Sequence, residues 1–236
     1  DDACVVLWGT LPLMRQIQLQ RNWTPGGWCN LHNLECRSYY SYFGAWLLND
    51  YYTMLPGVEA LRLQEQLFAE FGVEDEVFIR PRGVHQIITG RGVHHDDFRD
   101  ALAPSRYDPT TLIVVSTPKA IAREWRLVIA GNAIVASSQY RDSGAIAVSR
   151  GCPDEVRRFV SDVLHHVGWQ PDPVFMMDIC ESGDQLYVLE LNSFSCSGLY
   201  DCDLTDTVRA VSAIAENRWI ARRQTSGAGL VNRTGV

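Results

Sequence analysis

The sequence predicts an α+β protein, and three observations carry that prediction. Helical spacing is clear at residues 11–20 and 57–71. From Glu76 onward the pattern turns strand-rich. Two apolar runs, 174–180 and 186–191, then flank a Glu-Ser-Gly-Asp turn, which reads as a β-hairpin. Helices and mixed sheets grouped in this way, with helices outside the sheets, are the signature of the α+β class.

The elements follow in order. Residues 3–9 read as a short buried strand, and 11–20 as a helix. Trp23, Pro25, Gly26, Gly27 and Trp28 mark a loop, and 39–48 forms a helix with an apolar face. The stretch 57–71 is the stronger helix. Val58, Leu61, Leu67 and Phe68 are apolar while Glu59, Arg62, Glu65 and Glu70 lie elsewhere, and Gly72 ends it. Residues 77–79, 86–89, 112–116, 124–130 and 133–140 read as strands, with helices at 96–102 and 153–167. A last helix, 205–222, has Asp203 or Thr205 as its cap and arginines toward its end. Residues 225–236 are rich in Gly, Ser and Thr and are expected to form a frayed tail.

With 236 residues, 46% hydrophobic and 21% charged, the chain can bury a sizeable core in one domain or two closely joined lobes. A net charge of −7 argues against a general nucleic-acid surface, although a local basic cleft is compatible with it. No apolar run is long enough to span a bilayer, and the opening Asp-Asp-Ala-Cys lacks the basic region of a signal peptide. The expected location is therefore cytoplasmic. The seven cysteines are odd in number and scattered, which fits reduced thiols. Cys29, His32 and Cys36 have a spacing open to zinc but lack an evident fourth ligand. Cys196 and Cys202 have no histidine near them in sequence, so packing is their simpler role.

The hairpin carries the chemistry. Glu190 and Asn192 lie two apart and face the same way on their strand, and Asp178 on the partner strand joins them if the register allows. Two acids and an amide are hard oxygen donors of the kind Mg²⁺ takes, with Mn²⁺ able to stand in. The alternative is the polar face of an edge strand. Against it, both acids interrupt apolar runs, and a buried carboxylate without a partner is costly. Arg80 at a strand end and Lys119 after Pro118 are candidate phosphate binders. Glu124 and Arg126 share a strand face, and Arg141 follows on the next strand. Each of these also reads as a surface ion pair.

The ordered set Arg80-Pro81, Thr89-Gly90, Glu124-x-Arg126, Asp178, Glu190-x-Asn192 and Ser197-Gly198-Leu199-Tyr200 resembles one branch of the ATP-grasp ligases, the clade named for two arginines and a lysine. The resemblance runs from the 39–49 region to about Ala215. It implies two α+β lobes with a nucleotide between mixed or antiparallel sheets. Residues 1–75 would be a small N-terminal pre-ATP-grasp-like region, 76–224 the catalytic region and 225–236 the tail. It further implies ATP-dependent joining of a carboxylate to an amine through an acyl phosphate, on a peptide or protein. Arg80 and Lys119 would hold the nucleotide phosphates, Arg126 and Arg141 would serve catalysis, and Glu124 would orient a neighbouring base or arginine. Ile113 and Val115 would line the adenine pocket. Asp178, Glu190 and Asn192 would be the metal ligands.

One stretch departs from the pattern. Relatives of this type usually carry Asp-Ser-Gly after the Arg-Pro and a lysine where Gln86 aligns. Arg82, His85 or Arg91 could supply the lost charge, although an arginine fork does not simply replace a lysine point charge. Gly83 retains a close backbone approach to phosphate. Two further readings therefore stand beside the ligase: a phosphotransferase on the same scaffold, and a nucleotide-binding protein with reduced or lost catalysis.

Overall fold

A computed structural model describes residues 3–20, 23–81, 90–103 and 108–231. The expected strand at 86–89, and with it Arg82, Gly83, His85 and Gln86, lies outside the described residues. The chain forms two compact units. The first comprises Asp1–Asn30, Arg123–Ile179 and Glu190–Val236, and the second Leu31–Ala122 and Cys180–Leu189.

The first unit is organised by a five-stranded sheet. Its strands are β7 (Arg123–Ala130), β8 (Ala133–Asp142), β9 (Ala145–Arg150), β10 (Val174–Ser182) and β11 (Gln185–Ser193), in the order β11-β10-β7-β8-β9. The far end of the β10–β11 hairpin belongs to the second unit. Its turn falls on Gly183 and Asp184, both at positive φ, as a two-residue hairpin turn requires. Strand β10 lies inside the sheet and is buried from Val174 to Cys180, which explains its nearly unbroken apolar run.

Two helices accompany this sheet. Helix α6 (Asp154–Val167) buries Val156, Val160, Val163 and Leu164, one stripe at helical spacing, and packs against β8. Gly168, at φ 63, ends it by donating its N–H to the Leu164 carbonyl. Helix α7 (Leu204–Val231) contributes Val211 and Ala215 to a core with Trp28, Val128, Ala130, Ala136, Val174, Met176 and Phe194. The helix therefore continues beyond the expected end at Arg222. Glycines 227 and 229 weaken a helix without removing a hydrogen-bond donor, and the Thr225 hydroxyl bonds back to the Ala221 and Arg222 carbonyls. Residues 232–236 lie outside the described residues.

Of the two candidate caps for α7, Asp203 is the one used. Its Oδ1 accepts the Asp206 N–H at 3.0 Å. That bond, aided by Thr205 N–H and by Arg150 and Arg209, holds the carboxyl below its ordinary range. A depressed folded pKa gives stability that is present above the unfolded value and lost as pH falls through the folded one. Asp203→Ala is therefore expected to lower the melting temperature at neutral pH, and Asp203→Asn, which keeps an acceptor, to lower it less. In thermal melts the difference between Asp203→Ala and the wild type should vanish in strong acid.

The remaining elements of this unit are β1 (Cys4–Val6), α1 (Leu11–Gln20) and β2 (Thr24–Gly26). Strand β1 is exposed to half-buried, not buried as its composition suggests. The stretch expected to be loop instead supplies β2, which pairs in parallel with β1. Backbone pairing, which no side-chain pattern reports over three residues, decides both.

The second unit is built on the sheet β3-β6-β4-β5, formed by β3 (Tyr52–Pro56), β4 (Glu76–Pro81), β5 (Arg91–His94) and β6 (Leu112–Ser116), with every neighbouring pair antiparallel. Helix α2 (Cys36–Phe43) stops at Gly44, where φ turns positive, and a short 3-10 turn follows. The single helix expected at 57–71 is two, α3 (Gly57–Arg62) and α4 (Gln64–Phe71), which meet at Leu63 with φ −100 and ψ 16. Helix α4 ends where expected, at Gly72, whose extended backbone leaves the helix and where a Cβ would lie 2.3 Å from the Phe68 carbonyl oxygen. A short 3-10 turn and α5 (Phe98–Ala101) replace the helix expected at 96–102. The core unites Ala60, Leu67, Phe71, Val77, Ile79, Phe98, Ile113 and Val115.

Candidate functional site

One face of the first unit's sheet changes character along its strands. On β7, Val128 and Ala130 lie in the core with α7, and Arg126 is the next residue on that face. On β10, Val174 and Met176 lie in the same core, and Asp178 is the next residue on theirs. The apolar face thus runs out into a buried ion pair. The Arg126 Nε donates to Asp178 Oδ1 at 2.8 Å and Nη2 to Oδ2 at 2.7 Å. Asp178 is fully buried and Arg126 is 9% exposed. A two-pronged guanidinium–carboxylate contact is the strongest geometry available to such a pair.

Asn192 links this pair to the remaining acid. Its side-chain amide lies 2.7 Å from Glu190 Oε1 and 3.1 Å from Asp178 Oδ2. The three residues expected to act together are therefore brought together. Burial pushes the Asp178 carboxyl up to about 6, Arg126 opposes that, and the nearby Glu190 charge reinforces it. Burial works against the Arg126 charge, but Asp178 outweighs it and raises the guanidinium pKa. Part of the charge that the sequence left uncompensated is met by this arginine.

A second group of residues adjoins the pair. Between Glu124↔Arg141 and Trp125↔Gln139 the β7–β8 register slips, so Tyr140 is the extra residue of a bulge. Bulges re-aim side chains, and here the Tyr140 hydroxyl donates to Glu124 at 2.6 Å. Arg141 Nε lies 3.6 Å from the other Glu124 oxygen. Tyr140 stacks on Tyr200 at 4.8 Å and 6° between planes, and the Arg126 guanidinium sits over both rings, at 5.8 and 5.1 Å. Burial, followed by Asp178 and the Glu124 bond, pushes the Tyr140 hydroxyl above its ordinary range. Sequence reading misses the role of Tyr140. A tyrosine at the end of an alternating strand carries no mark of a bulge.

The loop after the hairpin is held by two of its serine hydroxyls and one of its carbonyls. Arg126 Nη1 donates to the Gly198 carbonyl at 3.0 Å, Ser193 Oγ donates to the Trp28 carbonyl at 2.9 Å, and Ser195 Oγ accepts the Trp28 N–H at 3.0 Å. Ser193 and Ser195 thereby fasten the loop to Trp28.

The other expected residues lie in the second unit. Arg80 Nη1 donates to the Leu189 carbonyl at 3.1 Å. Lys119 Nζ donates to the Leu48 carbonyl and lies 3.3 Å from Asp50 Oδ1. Ile113 and Val115 are packed in that unit's core. Of the residues with spacing open to zinc, the Cys29 thiol meets Cys196 and the Cys36 thiol faces the Tyr39 hydroxyl.

Among the described residues, no group of three or more His, Cys, Asp or Glu side chains is placed to hold a metal ion. The Asp178 cluster offers two acids and an amide, a set of hard oxygen donors that fits Mg²⁺. The mutual crowding of Asp178 and Glu190 is what a divalent cation would relieve. Among the described residues, no helix is long and apolar enough to cross a membrane.

A family model described as ATP-grasp domain, family 3 of the clade named for two arginines and a lysine, matches residues 36–211. No curated protein matches the sequence. Among solved structures, the D-alanine–D-alanine ligase from Bacillus anthracis superposes with a TM-score of 0.56 at 11% identity, covering 82% of this chain and 69% of that one. The RimK domain protein ATP-grasp from Sphaerobacter thermophilus DSM 20745 gives 0.55 at 15% identity, covering 89% and 77%. The ATP-grasp ligase PsnB, complexed with precursor peptide PsnA2 and AMPPNP, gives 0.52 at 16% identity, and this chain spans 60% of its length with 78% of its own. At these identities the structural likeness shows the fold.

Proposed function

The chain belongs to the ATP-grasp domains, in family 3 of the clade named for two arginines and a lysine, and on that premise we propose that it is an ATP- and Mg²⁺-dependent carboxylate–amine ligase working through an acyl phosphate. The observation that supports this reading most is the convergence of Asp178, Glu190, Asn192 and Arg126 at the polar end of one sheet face. A substrate carboxylate oxygen attacks the γ-phosphorus of ATP and ADP leaves. The amine then attacks the acyl carbon, phosphate departs and the amine proton passes to solvent. No protein nucleophile is needed.

In this reading Asp178, Glu190 and Asn192 hold Mg²⁺, which when bound offsets charge on the phosphates. Arg126, oriented by Asp178 and by the Gly198 carbonyl, engages the transferred phosphoryl group or the acyl phosphate. Arg141 acts beside it, with Glu124 orienting its guanidinium. Arg80 and Lys119 are assigned to the nucleotide phosphates, whereas Ile113 and Val115 are taken up by the core of the second unit and are not retained as adenine contacts. The precursor peptide held by PsnB supports a peptide or protein as substrate.

One observation favours a second reading, a nucleotide-binding protein without turnover: both Asp178 oxygens already carry Arg126 bonds. ADP release measured across a panel of amino acids and peptides, with mass analysis of the products, separates the readings. The expected result is ADP in equal amount to a new amide. A stable phosphorylated acceptor would replace the ligase with a phosphotransferase, and nucleotide binding without ADP would establish the second reading.

A further inference from the structure

Two thiols far apart in sequence meet in the first unit. Cys29 Sγ and Cys196 Sγ are 3.5 Å apart across 167 residues. Their backbones are fastened on both sides. Trp28, next to Cys29, gives its N–H to Ser195 Oγ, and its carbonyl accepts from the Ser193 hydroxyl. The Cys29 carbonyl accepts from Gln18 Nε2 at 2.6 Å, and the Cys196 N–H donates to Ser193 Oγ at 3.2 Å. The contact is therefore built by the fold. A disulfide needs sulfurs at ~2.0 Å, so side-chain motion of ~1.5 Å closes the gap.

We propose that Cys29 and Cys196 form a reversible dithiol–disulfide pair, closed by exchange with a low-molecular-weight disulfide of the glutathione type. The two thiols have different environments, which sets the order of events. Cys196 is half-buried and Cys29 is buried. The hydrogen bond from Cys29 brings the Cys196 thiol down to about 7, with burial opposing and Ser193 assisting, while the same bond and burial push Cys29 up. Cys196 is thus the attacking thiolate.

Its sulfur attacks one sulfur of the small disulfide, the S–S bond breaks, and one small thiolate leaves. Cys29 then loses its proton to solvent and its sulfur displaces the second small thiolate from Cys196. Two protein thiols are oxidised and one small disulfide is reduced to two thiols, so the two electrons balance. The cross-link would tie residue 29 to the loop whose Gly198 carbonyl anchors Arg126. The chemistry itself does not depend on the ligase reading.

The test treats the folded, reduced wild-type protein with oxidised glutathione, blocks remaining thiols with N-ethylmaleimide and maps peptides without reduction. The expected product is one peptide pair joined through Cys29 and Cys196, with no retained glutathione and full reversal by dithiothreitol. Cys29→Ser should instead retain glutathione on Cys196, and Cys196→Ser should leave Cys29 as a thiol. Wild-type protein that stops at the mixed disulfide, that remains unmodified at both positions, or that links Cys152 to Cys202 instead would overturn the proposal. Should Cys29→Ser fail to fold, the wild-type map decides by itself.

Discussion

Glu190→Gln is expected to lower Mg²⁺-dependent ADP release by at least roughly 100-fold while leaving the melting temperature close to that of the wild type. Loss of a group that merely supports a metal ligand costs about 10–100-fold, and a ligand itself should cost more. The substitution keeps volume and an oxygen that can still meet the Asn192 amide, now 2.7 Å from Glu190 Oε1. It removes the charge that would hold the cation against phosphate. Because Glu190 also raises the Asp178 pKa, neutralising it removes repulsion inside the cluster, so folding has no reason to suffer. The comparison belongs at saturating ATP over a range of Mg²⁺. Wild-type turnover with unchanged metal dependence in Glu190→Gln would remove Glu190 from the metal site.

The parts of this structure legible in the sequence are those where burial writes a pattern. Helices α1 and α6 and strand β6 appear within a residue or so of where periodicity puts them, because one face of each helix or most of the strand is covered. Strand β9 is not legible. It is an edge strand, exposed along nearly its whole length, and it is recruited by the hairpin turn at Ser143 and Gly144, where φ is positive at both. The break at Leu63 is hidden for a different reason: α3 and α4 both carry helical residues, and no Gly or Pro marks their junction.

The candidate site divides in the same way. Asp178 and Glu190 are visible because each interrupts an apolar run, and Asn192 because it shares the Glu190 face. Their partner on the next strand is not assignable from sequence. Arg126 reaches Asp178 across 52 residues, and only the β10–β7 neighbour relation makes that contact. Tyr140 is hidden by register, since its hydroxyl reaches Glu124 only because the bulge inserts one residue into β8. The thiol pair is the extreme case, with a separation no local motif could encode.

Arg126→Met is expected to be the most destabilising single change at the site. It leaves Asp178, 0% exposed, with a buried charge and without its two guanidinium bonds. Removing one member of a buried pair costs about 3–5 kcal/mol, which for a chain of this length is a fall of roughly 10 °C in melting temperature. The pH dependence identifies the cause. Burial and Glu190 push the Asp178 carboxyl up, and Arg126 is what opposes them. Without the arginine the folded pKa climbs beyond about 6, further from the unfolded value. Between those two values the folded state binds a proton that the unfolded state does not, so stability falls as pH rises. The deficit of the variant should therefore be smallest in acid, grow through pH 6 and be largest above neutrality. Arg126→Met combined with Asp178→Asn removes the stranded charge and keeps an acceptor for Asn192, and most of the lost stability should return. Melts of the wild type, Arg126→Met, Asp178→Asn and the double variant across pH measure this directly, and a loss that is equal at every pH and unrelieved in the double variant would mean that packing over Tyr140 and Tyr200, rather than the ion pair, is what Arg126 contributes.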